Sequence, residues 1–208
     1  KGRVGEDDGV FLLLTRMVLG QRVAVHDARV LHAMKQHVHR ADPQHGAVEV
    51  EPLYLRREIL ETLQENLKLY YFGQQRRTSS ILIEQRANMG KKEKVAILKD
   101  MVALVPELRH SLYDGQLNEF GKILHESWQL KTKLASRISN EVIEDVYKTA
   151  RTAGAIGGKL LGAGGGGFFL FYCEKQNHQR LRDALYGLKE MPFSFDNEGS
   201  KVIYCDNE

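Results

Sequence analysis

The sequence has few of the features that mark disulfide-rich, zinc-bound or membrane-embedded chains. It contains two cysteines, Cys173 and Cys205, which lie far apart and form no Cys-x-x-Cys pair. They therefore predict neither a disulfide framework nor a zinc site. The longest apolar run near the amino terminus, VFLLL at 10–14, is too short to cross a bilayer and lacks a small-residue cleavage site. Together these absences favour a reduced, cytoplasmic protein without a membrane as partner.

The chain also has little excess charge. Thirty Lys and Arg residues against 27 Asp and Glu residues give a formal net charge of +3 at pH 7. So small an excess does not indicate nucleic acid as a partner. Hydrophobic residues make up 42% of the 208 positions and charged residues 27%, which is the balance of a globular chain of one or two domains.

Residues 1–45 differ in character from the rest and form an atypical leader. This segment holds five of the eight histidines, and HAMKQHVHRADPQH at 32–45 is polar and poorly periodic. A metal site is one interpretation of the histidines, but they lack the close, repeated spacing of zinc ligands. A solvated or loosely packed segment is the other interpretation, and we predict no metal site.

From Gly46 onward, hydrophobic periodicity predicts an α+β fold with helices on one face of a small mixed or antiparallel sheet. Ser139 or Asn140 is the expected N-cap of one helix, which should end at Gly154, and Asp114-Gly115 should end an earlier one. The predicted elements are strands at 47–53, 68–73, 168–173, 193–195 and 201–205, and helices at 56–67, in the second half of 74–90, over 91–153 with a bend or break at Pro106, and at 176–188.

Glycine is concentrated in one stretch, GGKLLGAGGGG at 157–167, directly before the apolar run FFLFY. Seven of these eleven positions are glycine, the residue that loses the most backbone entropy when it is ordered. A flexible linker would be flanked by polar sequence, so the apolar run that follows argues against a linker. A Walker loop needs Ser or Thr where Leu160 stands. A dinucleotide-binding loop follows a strand and opens a helix, whereas here we predict a helix before and a strand after. Two interpretations remain: a loop of backbone N–H groups facing an anion or another phosphate loop, or a tight turn without ligand.

The stretch GAIGGKLLGAGGGGFFLFY resembles the third conserved motif of the GHMP kinases, the family of galactokinase and of homoserine, mevalonate and phosphomevalonate kinases. The segments LKLYYFGQQRRTSSIL and GKILHESWQLKTKLASRISNEVIEDVYKTARTAG are similar to the branch that phosphorylates D-glycero-D-manno-heptose 7-phosphate, with its L-fucokinase relatives. The resemblance covers about residues 46–208. It implies the ferredoxin-like α+β carboxyl-terminal domain of these kinases, with additional helices.

The resemblance implies ATP-dependent phosphorylation of a sugar phosphate, with Mg²⁺ as cofactor and the anomeric hydroxyl of a heptose 7-phosphate as acceptor. Arg76, Lys131 and Lys159 would bind substrate phosphate, although each of these side chains could equally be solvated and without a ligand. Trp128, three residues before Lys131 on one helical face, is expected in the core. The residues expected to support the ATP phosphate loop are Gly162, Ala163, Gly164, Gly165 and Gly166.

The chain departs from the family in three ways. No Pro-x-x-x-Gly-Leu-Gly-Ser-Ser string, the family's ATP-phosphate motif, occurs in the 208 residues. The catalytic residue is unknown, since Asp7 and Asp8 are acidic residues in roughly the right order and nothing more. Phe72 stands where a small hydroxyl residue is expected. The alternative function is therefore a non-catalytic sugar-phosphate-binding or inactive domain. A homo-oligomer, or association with the missing amino-terminal domain, also stays open.

Overall fold

The apolar run FFLFYC forms an inner strand of a four-stranded sheet in the computed structural model of the protein. The structure describes residues 38–41, 48–51, 53–73, 78–88, 91–162 and 164–195. Its strands are β1 (Val38–Ala41), β2 (Val48–Glu51), β3 (Leu67–Tyr71), β4 (Ala155–Leu160), β5 (Phe168–Cys173) and β6 (Lys189–Met191). Its helices are α1 (Arg57–Asn66), α2 (Thr78–Asn88), α3 (Lys92–Tyr113), α4 (Leu117–Thr132), α5 (Glu141–Thr152) and α6 (His178–Ala184), with a 3₁₀ turn at Lys175–Asn177 before α6.

The four-stranded sheet has the order β4-β5-β3-β6, and every neighbouring pair in it is antiparallel. Helices α2 to α5 separate β3 from β4 along the chain, and α6 separates β5 from β6. This connectivity is the β-α-β-β-α-β pattern of the ferredoxin-like fold, with additional helices inserted before β4. The predicted α+β class is confirmed. Strands β1 and β2 form a separate antiparallel pair, and β1 was not predicted from the sequence.

Helices cover both faces of the sheet, so the prediction that they lie on one face is wrong. Leu170 and Tyr172 of β5 belong to a core cluster built with α1, α3 and α4. The alternating residues Phe169, Phe171 and Cys173 belong to a second cluster built with α5 and α6. A strand without a polar side is buried on both faces, and the uninterrupted apolar run FFLFYC carries that signal.

Residues 155–160 form the edge strand β4, where we predicted a loop after a helix that ends at Gly154. Glycine is depleted in strands, so Gly157 and Gly158 gave no strand signal in the sequence. These two glycines are needed because neighbouring groups approach the β4 backbone too closely for a side chain. A Cβ atom on Gly157 would lie 1.8 Å from the carbonyl oxygen of Gly121 in α4, and one on Gly158 would lie 2.4 Å from Cδ1 of Phe171.

Two further differences concern proline and charge. Helix α3 continues through Pro106 from Lys92 to Tyr113, so the break that was one of the two predictions for Pro106 does not occur. The last described strand is Lys189–Met191 and not 193–195, and its Glu190 forms an ion pair of 2.7 Å with Arg182. The strand predicted at 201–205 lies outside the described residues.

Several local signals are confirmed. Helix α3 ends at Asp114, and Gly115 follows with a φ of 72°. The Asn140 side chain caps α5 by accepting a hydrogen bond of 3.0 Å from the Ile143 amide. Within the described ranges, no helix has both the length and the apolar character needed to cross a bilayer.

The contact between Gly121 and Gly157 makes a stability prediction. Gly157→Ala should lower the free energy of unfolding by about 3 kcal/mol or more, since the new methyl group meets backbone atoms that cannot rotate away. Gly187→Ala is the matched control, because nothing lies within 4 Å of a Cβ there. Urea unfolding followed by circular dichroism measures both. Equal stability of the two variants would contradict the close packing of α4 on β4.

Candidate functional site

The glycine loop, residues 161–167, joins β4 to β5 at the end of an antiparallel pair. Leu161 closes it by donating its N–H to the Phe168 carbonyl at 2.8 Å. Gly162 and Gly164 have φ values of 75° and 104°, in the left-handed region that side chains rarely adopt. The loop is therefore a strand-to-strand connection, and not the predicted helix-to-strand turn. Since no helix follows it, the exclusion of a dinucleotide-binding loop still holds.

Three hydrogen bonds from outside the loop fix its path. The Lys131 Nζ donates to the Gly162 carbonyl at 2.6 Å. The Gly165 N–H donates to the Ile138 carbonyl at 2.9 Å, and the Phe72 N–H donates to the Gly167 carbonyl at 2.8 Å. These anchors come from α4, from the segment after α4 and from the end of β3. The loop is consequently held from three separate elements.

Among the described residues, nothing covers one side of the loop. Gly162 is exposed, and a Cβ atom at Gly162 or Gly167 would have none of these residues within 4 Å. Gly164, in contrast, lies so close to Ile138 that a Cβ atom would come within 2.8 Å of the Ile138 Cα atom. A rigid, side-chain-free turn of this kind can present backbone N–H groups to an anion.

Lys131 lies in the last turn of α4 and is almost completely buried, with 1% of the residue exposed. Its Nζ is 5.9 Å from the ring centre of Trp128, which is itself fully buried as predicted. Burial, together with the nearby Lys159 amine, lowers the pKa of Lys131 well below its usual range. The negative end of the α4 dipole partly offsets the cost of a charge here.

Lys159 is the second buried lysine beneath the loop. It lies in β4 opposite Leu170, and 1% of the residue is exposed. Burial lowers its pKa to about 7, so that this amine is roughly half protonated at neutral pH. Neither lysine is solvated, and the substrate-binding role predicted for both remains a prediction.

The other predicted site residues are placed less directly. Arg76 and Ala163 lie outside the described residues. Phe72, found where a hydroxyl residue was expected, packs its ring against Phe169 with a centroid distance of 5.5 Å. Its contribution to the loop is its backbone N–H. Sequence reasoning missed Phe72 and Ile138 as anchors, because a backbone hydrogen bond leaves no side-chain signal.

Helix α5 supports the edge strand beneath the loop. Tyr147 donates from its hydroxyl to the Gly158 carbonyl at 3.2 Å, and the His125 Nδ1 lies 2.7 Å from the same hydroxyl. Arg151 donates to the Ala155 carbonyl at 2.6 Å. Tyr147 and Arg151 are four residues apart on one helical face, which is the signal that could have identified them. They satisfy carbonyl groups on the outer edge of β4.

The described residues suit the binding of a phosphoryl group. The open glycine loop has the backbone character of an anion site. Among the ranges that the structure describes, no group of three His, Cys, Asp or Glu residues could hold a metal ion.

The glycine loop lies within a segment that matches a known protein family. Residues 104–188, from α3 to the end of the α6 region, match the family described as GHMP kinases C terminal. The resemblance to the GHMP kinases that the glycine motif predicted is confirmed for this segment, called here the GHMP domain. It contains β4, the glycine loop, β5 and both buried lysines.

The relatives to which the chain is similar include sugar kinases. The chain is 28% identical over 158 residues to the D-glycero-alpha-D-manno-heptose 7-phosphate kinase of Campylobacter jejuni, covering 74% of this chain and 46% of that protein. It is 26% identical to the solved putative sugar kinase from Campylobacter jejuni, with a TM-score of 0.54 over 74% of this chain and 43% of that one. The solved D-glycero-D-manno-heptose 1-phosphate kinase from Bacteriodes thetaiotaomicron shares the fold, with 24% identity and a TM-score of 0.51 over 76% and 43% of the two chains. The chain therefore spans less than half the length of these relatives.

The two glycines at the start of the loop should respond differently to alanine. Gly162→Ala places a side chain at positive φ in open space and should destabilise the domain by about 1 kcal/mol. Gly164→Ala adds a collision with the Ile138 backbone and should cost about 3 kcal/mol. Urea unfolding of both variants gives the difference. A Gly164→Ala variant as stable as Gly162→Ala would show that the loop does not pack on Ile138.

The low pKa of Lys159 predicts a pH dependence of stability. The folded state holds fewer protons than the unfolded state between pH 7 and the ordinary lysine pKa of 10.5, so the free energy of unfolding should rise with pH above 7. Lys159→Met should remove about 2 kcal/mol of this increase between pH 7 and pH 9. Urea unfolding at several pH values measures it, with the exposed Lys148→Met as control. Parallel pH curves for wild type and Lys159→Met would refute the shift.

Proposed function

We propose that this chain is the carboxyl-terminal part of an ATP-dependent sugar kinase whose acceptor is a heptose 7-phosphate or a closely similar sugar phosphate. One observation carries the proposal: a glycine loop with left-handed backbone is anchored on three sides and open on the fourth. The relative named as a heptose 7-phosphate kinase supports the acceptor class, at 28% identity.

In the proposed reaction, this chain contributes positioning and charge. Phosphoryl transfer depends mostly on the placement of the reacting groups and on charge stabilisation. The loop residues Gly162, Ala163, Gly164, Gly165 and Gly166 would support the loop that holds the ATP phosphates. Arg76 would bind the phosphate of the sugar. Lys131 and Lys159, the two buried amines beneath the loop, would contribute to binding the substrate phosphate.

ATP and Mg²⁺ are part of the proposal as donor and cofactor. When bound, the metal would neutralise charge on the transferred phosphoryl group. Its ligands are not among the described residues, so we assign none. The same proposal includes a domain boundary between residues 45 and 46 and a cytoplasmic location. It also includes association with an amino-terminal domain or with a second copy of the chain.

Calorimetric titration of the 208-residue chain with heptose 7-phosphate and, separately, with Mg-ATP tests the proposal. The kinase interpretation predicts saturable binding of the sugar phosphate, and ³¹P NMR should show a new phosphate ester when both ligands are present. Unphosphorylated heptose is the matched control ligand and should bind at least about tenfold more weakly, because the charge-assisted contacts to its phosphate are missing.

The outcomes separate the two functions that the sequence left open. Transfer of phosphate to the sugar would establish a kinase. Binding of the sugar phosphate without binding of Mg-ATP would favour the non-catalytic alternative for this chain. Binding of neither ligand would mean that the proposed function is wrong for the chain as it stands.

A further inference from the structure

The side-chain amine of Lys131 lies directly behind the first positive-φ glycine of the loop. Its Nζ donates a short hydrogen bond of 2.6 Å to the Gly162 carbonyl. With 1% of Lys131 exposed, water has little access to replace this bond. Gly162 itself is exposed. The lysine therefore holds the inner side of a residue whose outer side is open to a ligand.

The helix that carries Lys131 is firmly fixed relative to the loop. Near its middle, α4 touches β4 so closely that a Cβ atom on Gly157 would lie 1.8 Å from the Gly121 oxygen. After the helix ends, Ser136 donates from its N–H and its hydroxyl to Glu84 of α2, both at 2.8 Å. Because contacts on both sides of Lys131 hold α4 in place, the Lys131 amine has a fixed position. It can therefore determine the position of the Gly162 carbonyl.

A buried lysine is costly, and the loop supplies a reason for its presence. Removing an ammonium group from water carries a large desolvation penalty. A glycine-rich loop, in turn, loses more backbone entropy than any other sequence when it is ordered. The bond from Lys131 to Gly162 partly offsets both costs, since each group satisfies the other. The ring of Trp128, 5.9 Å from Nζ, adds a cation–π contact.

We propose that Lys131 is a positioning residue: it locks the glycine loop in the conformation that supports phosphate and does not itself contact nucleotide or sugar. The phosphate-supporting part of this inference rests on the proposed function, whereas the locking of the loop does not. The experiment therefore has one arm that measures the rigidity of the loop and one arm that measures ligand binding.

Amide hydrogen exchange measures how firmly the loop is held. Lys131→Met should speed exchange of the Gly165 amide by about tenfold or more relative to the core amide of Leu124, as expected for losing a buried hydrogen bond. Lys131→Arg, which keeps an N–H donor, should recover much of the protection. Lys122→Met is the matched control, because Lys122 is exposed on the same helix and forms an ion pair of 2.7 Å with Glu119. Unchanged Gly165 exchange in Lys131→Met, or an equal increase at Leu124, would overturn the proposal.

A measurement on the wild type keeps the proposal testable if Lys131→Met does not fold. The ¹⁵N order parameters of the loop glycines should be close to about 0.85, the value of rigid backbone. Values below about 0.6 at Gly162 and Gly165 would mean that the loop is not locked, and would overturn the proposal without any variant.

Mg-ATP affinity reads the ligand. If the wild type binds Mg-ATP, Lys131→Met should weaken binding about tenfold, Lys131→Arg should restore much of it, and Lys122→Met should have no effect. An unchanged affinity in Lys131→Met would overturn the positioning role. If the wild type does not bind Mg-ATP, the proposed function fails in that respect, and the exchange arm still decides whether Lys131 locks the loop.

Discussion

The close contact between α4 and the edge strand β4, at Gly121 and Gly157, is the constraint on which the glycine loop depends. No side chain separates the two backbones there, since a Cβ atom on Gly157 would lie 1.8 Å from the Gly121 oxygen. This approach sets the distance between the last turn of α4 and the end of β4. It brings the amine of Lys131 within 2.6 Å of Gly162. A larger residue at either position would move the helix and with it the anchor of the loop.

Two buried amines beneath one loop form an electrostatically expensive arrangement. Burial lowers the pKa of Lys159 to about 7, and the Lys159 amine adds to the effect of burial on Lys131. Lysines are rarely buried without a compensating interaction. The domain thus keeps positive charge close to a backbone turn that is suited to anions, at some cost in stability. Such a conflict between stability and local charge is typical of functional sites.

Much of the fold could be predicted from the sequence, because the periodicity is strong where burial is one-sided or complete. Helices α1, α4 and α5 and strands β3 and β5 lie close to their predicted ranges, and the Asn140 cap is where its side chain predicts it. Strand β4 could not be predicted, since Gly157 and Gly158 have low strand propensity and are explained only by what packs against them. Strand β6 was missed because Lys189 and Glu190 are polar; Glu190 forms ion pairs with Lys68 of β3 and Arg182 of α6, and the sequence does not show these contacts.

The sequence by itself determined the family, the α+β class and the glycines of the candidate site, because these depend on residue types that are local and distinctive. The tertiary structure alone decided what those glycines do. It placed helices on both faces of the sheet, turned the expected helix-to-strand loop into a connection between two strands, and buried two lysines that the sequence could equally place in solvent. The physical reason is that burial, backbone anchors and pKa shifts arise from residues far apart in the chain, and no local pattern records which of them meet.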